Sequence, residues 1–260
     1  MDDICPKCGM TISKTIEVPK FDGTDKKRAV KVHVMCECEI KEKEELEIKE
    51  KIGAFQSELK ELSKFGILDI KQQEATFENW KITDKNSKNF EIVKRYIQKF
   101  DELFESGQGL LLWGDVGTGK SYAAYAIANE LIKKMRLVLV TSFVKLLEDT
   151  KGFGSNGQYI KSVNRAELLI IDDLGAERGT EYALEKVYDI IDSRYRSGKP
   201  IILTTNLTMV EMKNCTETRY KRIYDRIFEM CYPIKFDGIS WRKKCAVERF
   251  DKTKRILEEQ

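Results

Sequence analysis

A glycine-rich loop with a lysine and a serine lies between two apolar segments, within residues 109–132. Gly114, Gly119, Lys120 and Ser121 meet the spacing G-x-x-x-x-G-K-[ST]. Glycines allow the backbone N–H groups of such a loop to surround an anion, and the helix that follows adds the positive end of its dipole. The loop predicts a binding site for a nucleoside triphosphate, formed by Gly114, Asp115, Val116, Gly117, Thr118, Gly119, Lys120, Ser121 and Tyr122.

Polar residues that complete such a site end two later apolar segments. The stretch LLIIDDLG places Asp172 and Asp173 after four apolar residues, and IILTTN ends in Asn206. Asp172 and the Ser121 hydroxyl are placed to hold Mg²⁺, whereas Lys120 would reach the outer phosphates. Asp173 could orient or deprotonate an attacking water, and the Asn206 amide could touch that water or the γ-phosphate. We therefore expect Mg²⁺-dependent chemistry at the terminal phosphate.

Four of the seven cysteines fall within the first 38 residues, namely Cys5, Cys8, Cys36 and Cys38. The segment CPKCG is typical of a metal-binding turn, and the segment CEC would supply two more thiolates. Because few apolar residues lie here to build a core, a bound Zn²⁺ would have to stabilise this module. His33, the only histidine in the chain, is the alternative to one of the four thiolates.

Short apolar segments that alternate with helical patterns must position these residues. The pattern predicts strands at 109–113, 137–141, 168–172, 201–204 and 231–236. Helices are predicted between them, notably at 120–134 and 181–197, where apolar residues recur at helical spacing. This order of elements indicates an α/β fold, a wound parallel sheet with helices on both faces.

A highly charged segment at 39–65 precedes this pattern. Its apolar residues step by four and three positions and form one stripe on a helix: Ile48, Ile52, Phe55, Leu59 and Leu62. About two heptads support the stripe, which is too few for a confident coiled coil. A linker helix is the favoured interpretation, and a helix that binds a partner is the alternative.

The charge distribution limits the classes of partner only weakly. The net charge is +3, because 46 basic residues are offset by 43 acidic ones. The segment 213–255 is more basic and predicts either a face that binds a polyanion or a solvated surface. The start MDDICPKC lacks the features of a secretory signal, and no apolar run is long enough to span a membrane, so we expect a cytoplasmic protein without membrane partners.

The motifs GDVGTGKS, LLIIDDLGAER, IILTTN and RIYDRI resemble, in this order, those of the AAA+ ATPases of the bacterial helicase-loader group, the DnaC/DnaI-like and IstB-like family. The resemblance covers about residues 75–245 and implies a P-loop AAA+ parallel sheet flanked by helices. Since 18 residues follow Arg242, it also implies that the usual helical lid domain is absent. It implies a zinc-binding module at 1–38, a helicase-binding charged helix and linker at 39–70, and an AAA+ ATPase domain at 71–260.

The resemblance also assigns roles that spacing alone does not give. Asn206 takes the position of the first phosphate sensor, and Arg242 lies near that of the second. Arg226 matches the arginine that reaches into the ATP site of a neighbouring subunit, with Arg222 as the alternative. The residues expected to face single-stranded DNA (ssDNA) are Phe143, Lys145, Lys151, Phe153, Thr180 and Tyr182. Thr180 could instead only cap a helix, and Tyr182 could only pack.

The resemblance implies an ATP-dependent loader of a replicative DNA helicase. Such a protein would bind the helicase hexamer through its N-terminal module, assemble with its own copies on ATP, and grip ssDNA. Hydrolysis would be slow, because Asp173 is shorter than the Glu that many AAA+ relatives carry at this position. Assembly or ssDNA would stimulate it. Two alternatives remain: an IstB-type transposition ATPase, in which such a zinc module is unusual, and a nucleotide-locked DNA-binding adaptor that hydrolyses little ATP.

Overall fold

The computed structural model describes residues 3–19, 27–67, 70–152, 156–175 and 181–258. The chain divides into two compact units, Met1–Gln56 and Ser57–Gln260. None of the helices in the described ranges combines the length and the apolar character that a membrane-spanning segment requires.

The first unit consists of a cysteine-bearing turn, a hairpin and the start of a long helix. Strands β1 (Ser13–Pro19) and β2 (Lys27–His33) pair antiparallel, and helix α1 (Glu37–Ser63) follows. The turn is closed by the N–H of Cys5, which donates to the carbonyl of Met10 at 2.8 Å. This arrangement brings the turn and the start of α1 to the same end of the hairpin, because the N–H of Val34 donates to the carbonyl of Ile12.

The first unit has almost no apolar core. Among its described residues, only Cys5 and Cys36 are buried. A unit of this size without a core needs cross-links or a metal for stability, as the composition of the segment predicts.

The second unit is built on a five-stranded parallel sheet with the strand order β4-β5-β6-β3-β7. Its strands are β3 (Gly109–Gly114), β4 (Val138–Ser142), β5 (Leu168–Leu174), β6 (Ile201–Thr205) and β7 (Cys231–Phe236). Its described helices, besides the end of α1, are α2 (Ile70–Gln73), α3 (Ser87–Gln98), α4 (Phe100–Glu105), α5 (Lys120–Lys133), α6 (Phe143–Gly152), α7 (Asn156–Val163), α8 (Glu181–Ser197), α9 (Met209–Lys213), α10 (Thr218–Met230) and α11 (Trp241–Glu258). The predicted parallel sheet with flanking helices is confirmed, and each strand lies within two residues of its predicted bounds.

Both faces of this sheet are covered, so its strands contribute alternate residues to two apolar cores. In β3, Leu110 and Leu112 pack on one side with α5, whereas Leu111 packs on the other side with α8. In β5, Ile170 and Ile171 divide between the same two cores. Burial on both faces explains why these strands are continuous apolar runs in the sequence.

The apolar stripe predicted for residues 39–65 lies on α1, and its exposure changes along the helix. Ile48 and Ile52 are exposed, Phe55 and Leu59 are half-buried, and Leu62 is buried in the core of the second unit. The C-terminal end of the stripe therefore packs into the second unit, and the N-terminal end remains accessible.

The carboxyl ends of three adjacent strands meet at one edge of the sheet. Gly114 ends β3, Asp172 and Asp173 lie near the end of β5, and Asn206 directly follows β6. In parallel sheets with covered faces, this edge is where ligands bind. Among the described residues after β7, the helical ones belong to α11.

Candidate functional site

The glycine loop connects β3 to α5 through positions that only glycine occupies without strain. Gly114 has φ of +133°, and a Cβ there would lie 2.0 Å from the carbonyl oxygen of Phe236. Gly117 has φ of +83°, and a Cβ there would lie 2.2 Å from Oγ of Ser240. A side chain at either position would move β7 or the start of α11, so the glycines fix the path of the loop.

Lys120 is buried at the start of α5 and points into the loop. Its Nζ donates to the carbonyls of Gly114 and Asp115, both at 2.7 Å, and to Oδ1 of Asn206 at 2.9 Å. Burial lowers the pKa of Lys120, while the carboxylates of Asp173 and Asp172 act in the opposite direction. The ammonium group thus lies between the loop and the end of β6. A phosphate bound in the loop could accept a hydrogen bond from it there.

Asp172 is the centre of a cluster of hydroxyl groups. Its Oδ1 accepts hydrogen bonds from Oγ of Ser121, at 2.8 Å, and from Oγ1 of Thr204. Its Oδ2 accepts one from the phenol of Tyr125 at 2.8 Å. A carboxylate next to a serine hydroxyl is a set of hard oxygen donors, which fits Mg²⁺.

Asp173 projects from the strand in an unusual backbone conformation. It has φ of +60°, and a register irregularity between Ile171 and Leu174 accompanies it. Its N–H donates to Oγ1 of Thr204 at 3.0 Å, which fixes this conformation. Partial desolvation and the charge of Asp172 raise the pKa of Asp173, while Arg242 and Lys120 lower it. Strained residues of this kind cluster at functional sites, and here the strain turns the second carboxylate out of the sheet.

A cleft of about 190 Å³ lies beside the glycine loop, and four of its ten lining residues are aromatic. Its lining residues are Asn79, Trp80, Lys81, Asn86, Thr118, Gly119, Tyr122, Phe236, Trp241 and Cys245. The rings of Trp80 and Tyr122 meet edge to face at 5.6 Å, and the Tyr122 hydroxyl donates to the carbonyl of Thr76. Aromatic walls with a few amide groups suit a flat heterocyclic base.

Helix α11 begins directly against the glycine loop. The N–H of Trp241 donates to the carbonyl of Gly117 at 2.9 Å. The exposed Arg242 is close enough to influence the pKa values of both Lys120 and Asp173. The first turn of α11 therefore contributes a charge and an aromatic ring to the surroundings of the loop.

Arg226 lies on α10 and contacts α8 of its own chain. Its Nη2 forms an ion pair with Oδ1 of Asp192 at 2.5 Å. Its guanidinium also lies over the ring of Tyr188, with 4.7 Å to the centroid, and near that of Tyr195 at 5.7 Å. Arg222, the alternative, is exposed one turn earlier on α10.

The four N-terminal cysteines come together although they are far apart in the chain. The Sγ atoms of Cys5, Cys8, Cys36 and Cys38 all lie within 4.8 Å of one another. His33 points elsewhere, and its Nε2 lies 3.0 Å from a carboxylate oxygen of Glu39. Backbone N–H groups of Cys8 and Lys7 lower the pKa of Cys5 to about 7. Four converging thiols match the ligand set of a four-cysteine structural zinc site. The imidazole of His33 is not part of this cluster.

Residues 57–248 match the family described as IstB-like ATP binding protein. The chain belongs to this family. The family resemblance predicted from the motifs is thereby confirmed, and ATP is the nucleotide that the family description names.

Several relatives of this chain are named as replicative helicase loaders. It is 29% identical over 163 residues to the replicative helicase loader DnaC of Escherichia coli, covering 60% of this chain and 63% of that protein. It is 28% identical over 178 residues to the replicative helicase loader DnaI of Bacillus subtilis, covering 63% and 57%. The chain thus spans about six-tenths of the length of these curated relatives. A crystal structure of the DnaC helicase loader shares the fold, with a TM-score of 0.57 at 22% identity over 65% of this chain and 100% of that one.

The residues expected to face ssDNA in this IstB-like protein have different surroundings. Phe143 is buried in the core, so its ring packs between α6 and the sheet. Lys145 pairs with Asp149 at 2.6 Å, and Tyr182 is partly exposed with the ammonium of Lys186 over its ring. Phe153, Thr180 and the side chain of Lys151 lie outside the described residues.

Several residues of the site escaped the sequence analysis. Tyr125 lies one helical turn after Ser121, and Thr204 lies two positions before Asn206, so both could have been found from their spacing to known motif residues. Trp80 and Trp241 carry no such signal, because the cleft joins segments that are distant in the chain.

Proposed function

We propose that this protein is an ATP-dependent loader of a replicative DNA helicase. The observation that carries the proposal is the combination, in one chain, of an IstB-like ATP-binding unit with a four-thiol unit that precedes it. Two relatives named as replicative helicase loaders support it. The proposal assigns the zinc-binding module to residues 1–38, the helicase-binding helix and linker to 39–70, and the ATPase domain to 71–260.

In the proposed reaction, water attacks the γ-phosphate of ATP and ADP leaves. Lys120 would exchange its hydrogen bonds to the carbonyls of Gly114 and Asp115 for hydrogen bonds to phosphate oxygens. It would keep its hydrogen bond to Asn206. Asn206, already in contact with Lys120, then orients the water or the γ-phosphate. Ser121 and Asp172 would hold Mg²⁺, which would neutralise charge on the phosphates.

Asp173 is the proposed group that accepts a proton from the attacking water or orients it. Its side chain is exposed at the edge of the sheet, beside the buried Asp172 that binds the metal. The raised pKa of Asp173 fits a general base, because a carboxylate with a higher pKa binds a proton more strongly than an unperturbed one.

The aromatic cleft is the proposed site of the adenine base. It is continuous with Thr118 and Gly119 of the glycine loop, so a base there would stay connected to phosphates at the loop. Trp80, Tyr122 and Trp241 offer ring faces, and the amides of Asn79 and Asn86 offer polar atoms. With Arg242 at the start of α11, this cleft extends the predicted nucleotide site beyond the glycine loop.

The N-terminal unit is the proposed contact with the helicase. Zn²⁺ held by the four cysteines would replace the missing apolar core and fix the start of α1. Val34, Met35 and Ile40 are exposed beside this cluster, and Ile48 and Ile52 are exposed farther along α1. Exposed apolar side chains on a metal-stabilised unit suit recognition of another protein.

Assembly on ATP and contact with ssDNA complete the proposal. Arg226 or Arg222 would serve the ATP of a neighbouring copy, and Lys145, Lys151, Phe153, Thr180 and Tyr182 remain the proposed DNA contacts. Phe143 is left out because its ring is buried. Lysines with an aromatic ring nearby suit the phosphates and bases of a single strand.

Two other functions have an observation in their favour. The family description names IstB-like proteins, which favours a role in transposition. The strained Asp173, shorter than the Glu of many AAA+ relatives, favours an adaptor that binds ATP and hydrolyses little of it. Capture by a transposase instead of a helicase would support the first, and an absence of ssDNA-stimulated turnover would support the second.

The deciding experiment is a loading assay with the purified protein, the host's replicative helicase and circular ssDNA. We expect ATP-dependent transfer of the helicase onto the circle, with loss of transfer for the Lys120→Ala variant. A variant with Cys36→Ser and Cys38→Ser should retain ATP binding but lose capture of the helicase. Helicase transfer that is independent of ATP and of the cysteines would contradict the proposal.

A further inference from the structure

We infer that Asp192 is a positioning residue that holds Arg226 inside its own subunit until a second copy of the chain docks. This inference rests on the proposed assembly on ATP. Asp192 lies on α8, which packs against α10. The ion pair of 2.5 Å between Oδ1 of Asp192 and Nη2 of Arg226 is the starting point of the inference.

The acceptor in this pair is a buried carboxylate. The side chain of Asp192 is 5% exposed, and that of Arg226 is 24% exposed. Water therefore screens the pair less than it would screen an ion pair at the surface. A partly desolvated pair of this kind constrains the arginine more than a typical surface contact.

Two aromatic rings complete a slot for the guanidinium on α8. Tyr188 and Tyr195 lie on either side of Asp192 in the sequence of the helix. Cζ of Arg226 is 4.7 Å from the ring centroid of Tyr188 and 5.7 Å from that of Tyr195. The hydroxyl of Tyr195 donates to a carboxylate oxygen of Glu229 at 2.9 Å, which fixes one ring against α10. The slot binds the arginine through one charge and two ring faces, all from its own subunit.

An arginine that reaches the phosphate of a neighbouring subunit must leave this slot. Departure would strand a buried carboxylate if Arg226 were its only partner, and that would be costly. Asp192 has a second partner: Arg196 contacts its other oxygen, Oδ2. Arg196 lies one turn away on the same helix and its side chain is 77% exposed, so it can stay with Asp192 after Arg226 leaves. The release is therefore feasible.

The slot sets a cost for assembly. If Arg226 is released in only a fraction of the molecules, the apparent Kd between subunits is the intrinsic Kd divided by that fraction. A released fraction between roughly a third and a tenth would raise the protein concentration needed for assembly about threefold to tenfold. Asp192 would then set the concentration at which hydrolysis begins.

The experiment compares ATP hydrolysis over a range of protein concentrations for the wild type, Asp192→Asn and Asp189→Asn, with ssDNA present. Asp189→Asn is the matched control, because Asp189 lies on the same helix and pairs with Lys186. We expect Asp192→Asn to reach half-maximal activity at a roughly threefold to tenfold lower concentration. Asp189→Asn should match the wild type.

A double variant separates restraint from general structure. In Asp192→Asn with Arg226→Ala, activity should equal that of Arg226→Ala alone, because there is no arginine left to release. An effect of Asp192→Asn that persists without Arg226 would overturn the inference, as would an unchanged or higher half-maximal concentration. If Asp192→Asn does not fold, Arg196→Ala gives the reverse test: without this second partner, the release of Arg226 would leave Asp192 unpaired, so Asp192 should hold Arg226 more firmly and raise that concentration.

These results also separate the inference from the proposed function. A wild-type specific activity that is independent of concentration, and unaffected by Arg226→Ala, would overturn the assembling ATPase and the role of Asp192 together. Concentration-dependent activity that requires Arg226 but ignores Asp192→Asn would overturn only the role of Asp192.

Discussion

Oγ of Ser121 donates a 2.8 Å hydrogen bond to Oδ1 of Asp172, which joins the first turn of α5 to the end of β5. The two residues are distant in sequence, yet their oxygens lie together. Because hydroxyl and carboxylate oxygens are ligands that Mg²⁺ accepts, this contact is where the metal and the phosphates would be joined.

Lys120→Ala is expected to weaken ATP binding by roughly a hundredfold or more, because hydrogen bonds to charged groups contribute about 1.5–3 kcal/mol each. Calorimetric titration with a non-hydrolysable ATP analogue measures the change. Lys133→Ala is the matched control, since Lys133 lies on the same helix and pairs with Glu130 at the surface. Equal affinity of both variants would contradict the role given to Lys120.

Asp173→Asn is expected to bind ATP and to lose most of its turnover, because an amide does not accept the proton of the attacking water. In the wild type, the rate should rise with pH through the raised pKa of Asp173, since only the ionised carboxylate is a base. The variant should lose this acidic limb. Rates at saturating ATP between pH 4.5 and 8 provide the measurement, with ~0.5-unit steps to resolve the limb. An unchanged profile would show that another group activates the water.

How much of this site the sequence predicts depends on how local each relationship is. The glycine loop, Lys120 and Ser121 lie within a few residues, so spacing alone predicts their convergence. Asp172 and Asn206 are predictable because carboxyl ends of parallel strands meet at one edge. The strands themselves are predictable because burial on both faces makes them continuous apolar runs.

The unpredicted relationships depend on the packing of distant side chains. No periodicity predicts that Arg226 meets Asp192 and two tyrosines, since the contact depends on how α10 crosses α8. The same holds for Trp80 and Trp241, which line one cleft although they are far apart in the sequence. The sequence also leaves His33 and a fourth cysteine as alternatives, because His33, Cys36 and Cys38 all lie within a few residues of the end of β2.

Removal of zinc is expected to unfold the first unit while the second unit remains folded, because the first has almost no apolar core. Elemental analysis of protein purified without chelator should find one zinc per chain. Treatment with a chelator should release it and leave ATP binding unchanged. His33→Ala is the control and should keep the zinc, since His33 contacts Glu39 and not the thiol cluster. Loss of zinc in that variant, or none in the wild type, would contradict the assignment.

Arg226→Ala separates an assembling ATPase from one that acts alone. An arginine supplied by a neighbour stabilises charge on the transferred phosphoryl group, and such a residue is worth about 10³ to 10⁵ in rate in well-studied phosphoryl transferases. In its own subunit, Arg226 contacts Asp192, Tyr188 and Tyr195 on α8. We therefore expect Arg226→Ala to leave the ATP affinity of dilute protein nearly unchanged and to abolish concentration-dependent hydrolysis.

Mixing two inactive variants tests whether the arginine acts between subunits. Arg226→Ala protein has an intact ATP site, and Lys120→Ala protein has an intact Arg226, so mixed assemblies contain some complete sites. Mixing should partly restore hydrolysis, up to about a quarter of the wild-type rate if subunits associate at random in equal amounts and each site needs one neighbour. Arg222→Ala is the matched control, one turn away on the same helix. Restoration that requires Arg222 instead would transfer the role to that residue, and weakened ATP binding by dilute Arg226→Ala would show that Arg226 acts within its own subunit.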